Sequence, residues 1–298
     1  MCFNKIIHKE GTNLKILVFP IILGLCIFVV FPAQAQLVVY DDFSGPFVDI
    51  ARWYHRHSGT SDNVWPFEGG FRIQKGKLNY FSRAYGTKLA TQETQDYRRR
   101  LFLKDVSGVT AIETSIQMAK NGNVITGCSE NTKPSETRVN FGGSFFNNGS
   151  GLEPNNGDYT GDVYATIALY KFSDSTDIPA GYMGVRARVR LCTNEDCSMS
   201  SQLYETFFKD DRDKPLLLKV GKKEKFRITY DRAANAFTFQ VGKNVATYTS
   251  TVENVQPSGA LNGGMRLAVD HSLANCPTSN RAIGWADAFF DYISIRQE

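Results

Sequence analysis

The feature that most constrains this 298-residue chain is a hydrophobic period of two. Short runs alternate apolar with polar residues and then stop at Gly, Asn or Asp. Residues 112–118, 163–170 and 184–191 follow this rule, as do 226–230 and 237–241 on either side of the turn Asp231-Arg232-Ala233-Ala234-Asn235. Successive side chains of a strand point to opposite faces, so such a run buries one side and wets the other. Further short strands are expected over 37–40, 53–57, 71–73, 78–81, 265–269 and 289–295, with Gln74-Lys75-Gly76-Lys77 turning a hairpin. Helix-period stretches between them are scarce, which argues against a parallel α/β sheet. The expected fold is all-β, an antiparallel sandwich or barrel. One stretch reads differently. Residues 140–162 carry Gly142-Gly143, Asn147-Asn148-Gly149-Ser150-Gly151 and Pro154-Asn155-Asn156-Gly157-Asp158, and are expected to form a long loop.

The first 35 residues are unlike the rest. Lys5, Lys9 and Lys15 make a basic opening with Glu10 as its only acid, residues 16–31 are apolar apart from Pro20 and Gly24, and Ala33-Gln34-Ala35 supplies a small-x-small cleavage pattern. This reads as a signal peptide over 1–35, removed to leave a single domain over 36–298, secreted or periplasmic. The apolar run is shorter than the roughly 20 residues of a spanning helix, and no later segment offers one, so no membrane span is expected after cleavage. Losing Lys5, Lys9, Lys15 and Glu10 takes the formal net charge from +4 to +2. No strong basic field remains, and no nucleic-acid partner is expected. Tyr97-Arg98-Arg99-Arg100 reads as a solvated strand end.

Four cysteines remain: Cys128, Cys192, Cys197 and Cys276. An even count in an exported chain points to disulfides. The favoured pairing is Cys192 with Cys197 and Cys128 with Cys276. A zinc site is the alternative, disfavoured because no C-x-x-C occurs.

Several short motifs resemble the concanavalin A-like lectin and glucanase superfamily, with its laminin G-like branch. They are Tyr40-Asp41-Asp42-Phe43 followed by Trp53, the turn Gly76-Lys77-Leu78, the hairpin Phe226-Arg227-Ile228-Thr229-Tyr230-Asp231 with Phe237-Thr238-Phe239-Gln240-Val241-Gly242, and the closing Ala288-Phe289-Phe290-Asp291-Tyr292-Ile293-Ser294-Ile295. The resemblance implies a jelly roll of two curved antiparallel sheets. It does not imply one activity, because that fold hosts enzymes, lectins and adhesion modules.

Retaining glycosidases of this fold place two acids on one strand, typically Glu-x-Asp-x-x-Glu, so that nucleophile and general acid share a face. Here the nearest run, residues 112–117, puts Glu113, Ser115 and Gln117 on one face, with Glu113 its only acid. Glu113 is therefore the one weak catalytic candidate. A stronger signal is a polar sheet face. Arg186, Arg188 and Arg190 alternate with Val185, Ala187, Val189 and Leu191, while Tyr164, Thr166 and Tyr170 oppose Ala165, Ile167 and Leu169. If residues 171–183 join these strands as a hairpin, the arginines and tyrosines line one surface, to which Arg138, Asn140, Glu113 and Gln117 are candidates to add. Tyrosine rings stack on sugar faces, and arginine forks take hydroxyls, carboxylates or sulfates. The competing reading is a solvated face whose arginines meet acids such as Glu113.

Metal candidates are weaker. His55 and His57 share a face beside Trp53, with His271 or Asp270 as a distant third ligand; the alternative is an aromatic edge packed by Trp53. Asp41, Asp42, Asp287 and Asp291 lie near the chain ends, where adjacent terminal strands offer a calcium site or simply aspartate-capped turns. No other cofactor is expected. Three functions compete: a noncatalytic glycan-binding or cell-surface recognition module, a polysaccharide-cleaving enzyme using Glu113 or a lyase in which Tyr164 or Tyr170 moves the proton, and a structural or adhesive envelope protein.

Overall fold

The computed structural model describes residues 36–59, 67–88, 93–124, 130–150, 158–257, 264–278 and 280–298. The expected leader lies outside them. In chain order the strands are β1 (Val38–Asp41), β2 (Trp53–Gly59), β3 (Phe67–Ile73), β4 (Leu78–Tyr85), β5 (Thr94–Leu103) and β6 (Val109–Val124). Next come β7 (Glu136–Asn147), β8 (Asp162–Phe172), β9 (Tyr182–Cys192), β10 (Ser200–Phe207), β11 (Leu217–Lys219) and β12 (Lys223–Asp231). The last are β13 (Ala236–Val241), β14 (Asn244–Thr249), β15 (Gln256–Pro257), β16 (Arg266–Ala274) and β17 (Ile283–Gln297). No helix occurs among the described residues, and none is long and apolar enough to cross a membrane.

Two antiparallel sheets form a jelly-roll-type sandwich, as expected. The back sheet runs β14-β13-β12-β6-β17-β4-β3, with β1 added along β17. The front sheet runs β10-β9-β8-β7-β16-β5-β2, with β11 on β9 and β15 on β7. The core lies between them. Ile112, Ile116, Phe226, Ile228, Phe237, Phe239 and Phe290 of the back sheet meet Val139, Phe141, Ile167, Val185, Val189 and Leu267 of the front sheet. Phe141 and Phe226 touch edge to face across the gap, with centroids 6.0 Å apart. Each such side chain contributes about 1.5–3 kcal/mol through burial.

Local chemistry explains the hairpins. Lys75 and Gly76 both take positive φ, 54° and 66°. That pair is what a two-residue turn needs to match the twist of its strands, and Gln74 and Lys77 exchange backbone hydrogen bonds across it at 2.8 and 3.2 Å. At the β12–β13 turn Asn235 takes φ 49°, and the Tyr230 hydroxyl donates to its side-chain oxygen at 2.8 Å. The alternation continues through that hairpin, where Phe226, Ile228 and Tyr230 are buried opposite Val241, Phe239 and Phe237.

The expected loop over 140–162 is corrected at its start. Residues 140–147 are the second half of β7, a central strand. Gly142 and Gly143 mark close backbone approach there and not a turn: a Cβ would come within 2.1 Å of the Ala165 carbonyl at Gly142 and 2.2 Å of the Gly264 carbonyl at Gly143. A register shift between Ser144 and Phe146 lets consecutive residues Phe145 and Phe146 both enter the core.

Candidate functional site

Alternation decides what the front sheet shows to its outer side. β8 and β9 form the expected hairpin, pairing Tyr164 with Arg190, Thr166 with Arg188 and Ala168 with Arg186. Val185, Ala187 and Val189 point into the core, so Arg186, Arg188 and Arg190 point out. On the other flank β7 sets Arg138 opposite Tyr170 and Asn140 opposite Ala168. β16 continues the rows, with Asp270 opposite Arg138, Ala268 opposite Asn140 and Arg266 opposite Gly142. β5 then adds Arg98 opposite Asp270 and Arg100 opposite Ala268. Small residues therefore occupy the middle of the face, and long cationic ones stand around them.

The result is a cavity of about 110 Å³ on the outer face. Seven arginines line it, Arg98, Arg100, Arg138, Arg186, Arg188, Arg190 and Arg266, together with Asn140, Tyr164, Thr166, Ala168 and Asp270. Cys197, Ser198 and Ser200 form part of its rim, on a loop closed by the Cys192–Cys197 disulfide. That pairing is the one favoured from sequence. Of the other expected pair, Cys128 lies outside the described residues; Cys276 is fully buried and is a disulfide cysteine.

Carboxylates hold only part of this charge. Glu136 bridges Arg138, at 3.0 Å, and Arg186. Glu205 pairs with Arg188 and stands 3.9 Å from Arg186. Asp96 meets Arg98 at 3.0 Å. Asp270 accepts from Asn140 at 2.9 Å and from Arg138 at 3.4 Å, both on one oxygen. Its other oxygen, Oδ1, is buried with no hydrogen-bond partner. The Nε groups of Arg98, Arg100, Arg186, Arg190 and Arg266 are likewise buried and unpartnered. A buried polar group left unpaired costs about 1–3 kcal/mol, more when charged.

The electrostatics follow. Burial pulls Arg100 down to about 9, helped by neighbouring Arg266. It pulls Arg190 down to about 10, helped by Arg188 and Arg138, and Arg186 to about 10 against the pull of Glu136. Burial acts on Arg138 too, but Glu136 and Asp270 outweigh it and hold that guanidinium above its ordinary value. Burial would raise Asp270, yet Arg138, Arg100, the Asn140 amide and Arg266 together hold it below the usual carboxylate range.

The tyrosines do not present open rings. Tyr164 and Tyr170 are 6% and 5% exposed. The Arg266 guanidinium lies over the Tyr164 ring at 4.7 Å and donates to its hydroxyl at 3.3 Å. The Arg186 guanidinium covers Tyr170 at 5.2 Å, with Phe207 and Phe172 packed beside it. The rings thus steer arginines, and the expectation that they stack on a sugar is replaced by that positioning role. Burial pushes Tyr170 up to about 12 and raises Tyr164 as well.

Other predicted residues lie elsewhere. Glu113 and Gln117 are on β6, on the outer side of the back sheet, so they do not join the arginine face. Glu113 receives hydrogen bonds from Arg227 at 2.7 Å and the Tyr292 hydroxyl at 2.8 Å, and an ion pair from Lys225 at 2.9 Å. Gln117 donates to the Gly221 carbonyl at 2.7 Å. His271 is fully buried between the sheets, 2.9 Å from the Thr137 hydroxyl and 3.0 Å from that of Ser82, while its neighbour Asp270 faces the cavity. His55 sits against the Phe71 ring, 5.2 Å between centroids, and the side chain of His57 lies outside the described ones. β1 does run beside β17, as expected. Asp41 there accepts from the Phe43 amide at 2.8 Å and the Trp53 indole at 2.7 Å. Asp42 caps Ser44 at 3.1 Å, and Asp291 pairs with Lys223 at 3.0 Å and Lys77 at 3.5 Å. Asp287 accepts from the Asn79 amide. Among the described residues no three His, Cys, Asp or Glu side chains gather as a metal-ion set.

Sequence reasoning missed Arg98, Arg100, Arg266 and Asp270 as cavity residues. The signal for two of them was phase. In Arg98-Arg99-Arg100 the outer two share a face, while Arg99 turns the other way and lies 4.5 Å over the Phe67 ring. The run is not a solvated strand end.

No protein-family model matches the chain. No curated protein is similar to it in sequence. Among solved structures it is similar to a GlcNAcα1-4Gal-releasing endo-β-galactosidase from Clostridium perfringens, with TM-score 0.44 and 11% identity over 89% of this chain and 64% of that one. It is also similar to the carbohydrate recognition domain of Emp47p, with TM-score 0.36 and 13% identity over 87% and 98% of the two chains. A legume lectin-like domain from Entamoeba histolytica matches with TM-score 0.36 and 10% identity over 89% and 100%. The chain spans less than two thirds of the endo-β-galactosidase. At these TM-scores the reading of the site rests on its own geometry.

Proposed function

We propose that this is an exported, noncatalytic recognition module that binds an acidic glycan in the arginine-lined cavity of the front sheet. One observation carries the reading: the cavity buries unpaired donors and an unpaired acceptor together. The guanidinium Nε groups want acid oxygens. Asp270 Oδ1, on a carboxylate held ionised, wants a hydroxyl or amide donor. A ligand carrying both acid groups and hydroxyls, as an acidic sugar does, satisfies both; a bare phosphate or carboxylate satisfies only the first. The expected leader over 1–35 and the Cys192–Cys197 disulfide support a place outside the reducing cytoplasm.

The noncatalytic part is supported by the state of the candidate proton carriers. Asp270 is held ionised by arginines, Tyr164 and Tyr170 are held protonated by burial, and Glu113 lies on the other sheet, its carboxyl lowered by Lys225, Tyr292 and Arg227 against the opposing effect of burial. The test is retention of the purified protein on immobilised polygalacturonate, heparin and neutral dextran, with each retained polymer assayed for new ends. Acidic polymers are expected to bind and dextran to pass, with heparin retention lost in Arg190→Ala. Equal retention on dextran sinks the reading. Release of unsaturated or reducing ends overturns its noncatalytic part.

A further inference from the structure

The cavity has two unlike ends. At one, carboxylates and cations alternate: Glu136, Arg138, Asp270 and Asn140 are linked to one another within 3.4 Å. At the other, Arg100, Arg190 and Arg266 have no carboxylate within ion-pair distance among the described residues, and all three have a buried, unpartnered Nε. They are gathered around one neutral group, Tyr164. Arg190 is its cross-strand partner, Arg266 lies over its ring, and Arg100 stands close enough to Arg266 for their charges to repel. Arg266 and Asp270, four residues apart on β16, mark the two ends. At the rise of a strand that is about 13 Å, longer than one pyranose ring.

Three cations around one neutral ring, reached by Asp270 and Glu205 only from beyond ion-pair distance, are costly. They persist where folding leaves them for a ligand to neutralise. A uronate carboxylate brings one charge and two coplanar oxygens, one for each of two guanidinium groups, as Glu136 shows with Arg138 and Arg186. A sulfate ester brings three terminal oxygens, one for each guanidinium, and a sulfated uronate-containing chain brings a second charge beside it. We infer that the Tyr164 end of the cavity is a subsite for a sulfate ester, and that the ligand class is a sulfated oligosaccharide seated with its hydroxyl-bearing unit toward Asp270. This rests on the acidic-glycan reading and narrows it.

The test is calorimetric titration of the purified protein with three probes: a heparin oligosaccharide, the same oligosaccharide chemically desulfated with its carboxylates kept, and an oligogalacturonate. Heparin is expected to bind at least tenfold tighter than either of the others. Arg266→Ala and Arg190→Gln are each expected to lower heparin affinity at least tenfold while changing affinity for the desulfated chain less than threefold. Arg190 is only partly buried on a strand next to the sheet edge, so it serves as the informative variant if Arg266→Ala does not fold. Equal binding of the sulfated and desulfated chains overturns the sulfate subsite but leaves the acidic-glycan reading standing. Binding to none of the three overturns both.

Discussion

The two outer faces of this sandwich carry similar residues and differ in what they do with them. On the back sheet Glu113 is ringed by Arg227, Lys225 and Tyr292, and the two cations are 38% and 54% exposed. Each charge of this cluster has a partner. On the front sheet Arg186 is 1% exposed, lies over an aromatic ring and shares Glu136 with Arg138. Its Nε has no partner, nor has that of four other cavity arginines. Charge content alone does not distinguish a site from a solvated face. Arg99 and Arg232 also carry buried, unpartnered Nε groups, so what sets the front face apart is the gathering of five such groups around one cavity, the observation on which the proposed site rests.

The comparison breaks first on stability. Glu136→Gln removes the carboxylate shared by Arg138 and Arg186 and leaves the buried Arg186 with only Glu205, 3.9 Å away, so a loss of about 2–3 kcal/mol is expected by urea denaturation. Glu113→Gln on the back sheet is expected to cost at most about 1 kcal/mol, because its partners are held in water. Equal costs would erase the distinction between the faces.

A second difference lies between the faces and the layer they enclose. His271 is buried neutral, and burial lowers it to about 4 from 6.5, so the unfolded chain binds the extra proton between those values. Its contribution to stability is therefore full above pH 6.5 and falls as pH drops toward 4, by about 3 kcal/mol. Asp162 has the opposite sign: burial raises it to about 6, so its contribution grows as pH falls from 6 toward 3.8. The two oppose each other in the wild type. His271→Asn removes the first alone, and the variant is expected to gain about 3 kcal/mol relative to wild type between pH 7 and 4, read from denaturation at each pH.

Smaller effects sharpen the reading of the rim and the rings. Replacing Cys192 and Cys197 together by Ala opens a short loop, with an expected stability loss of about 2 kcal/mol on the chain-entropy model. Because Cys197 and Ser198 line the cavity, heparin affinity is expected to fall as well. Tyr164→Phe deletes only the hydroxyl that Arg266 meets. It is expected to weaken heparin binding a few-fold, on the order of 1 kcal/mol, and to lower stability by about as much. A melting change without a binding change would make Tyr164 an ordinary core residue.

Much of this was legible in the sequence, for reasons that also mark where it stopped. The β12–β13 hairpin and the Arg186, Arg188 and Arg190 row were readable because period two is a local property and these runs hold it strictly. Sheet membership is not local. Glu113 has the right phase for an outer face, but β6 belongs to the back sheet, between the front-sheet strands β5 and β7. Nothing in the periodicity of residues 112–118 records that placement. Arg266 stands alone in its strand as a cation, so no pattern drew attention to it. Arg98 and Arg100 were hidden by Arg99, which has the same chemistry and the opposite phase. Gly142-Gly143 reads as a turn by composition, and only the carbonyls of Ala165 and Gly264, far away in sequence, explain why it is the middle of a strand. The tyrosines were placed on the right face, but their burial under arginines depends on neighbours from other strands.

The most direct measurement is the nitrogen-15 spectrum of the arginine Nε–H groups during titration with a heparin oligosaccharide. The Nε–H signals of Arg100, Arg186, Arg190 and Arg266 are expected to shift and sharpen as they gain partners, while that of Arg227 on the back sheet stays in place. Shifts at Arg227 with none in the front-sheet set, or no shifts at all, would contradict the proposed site.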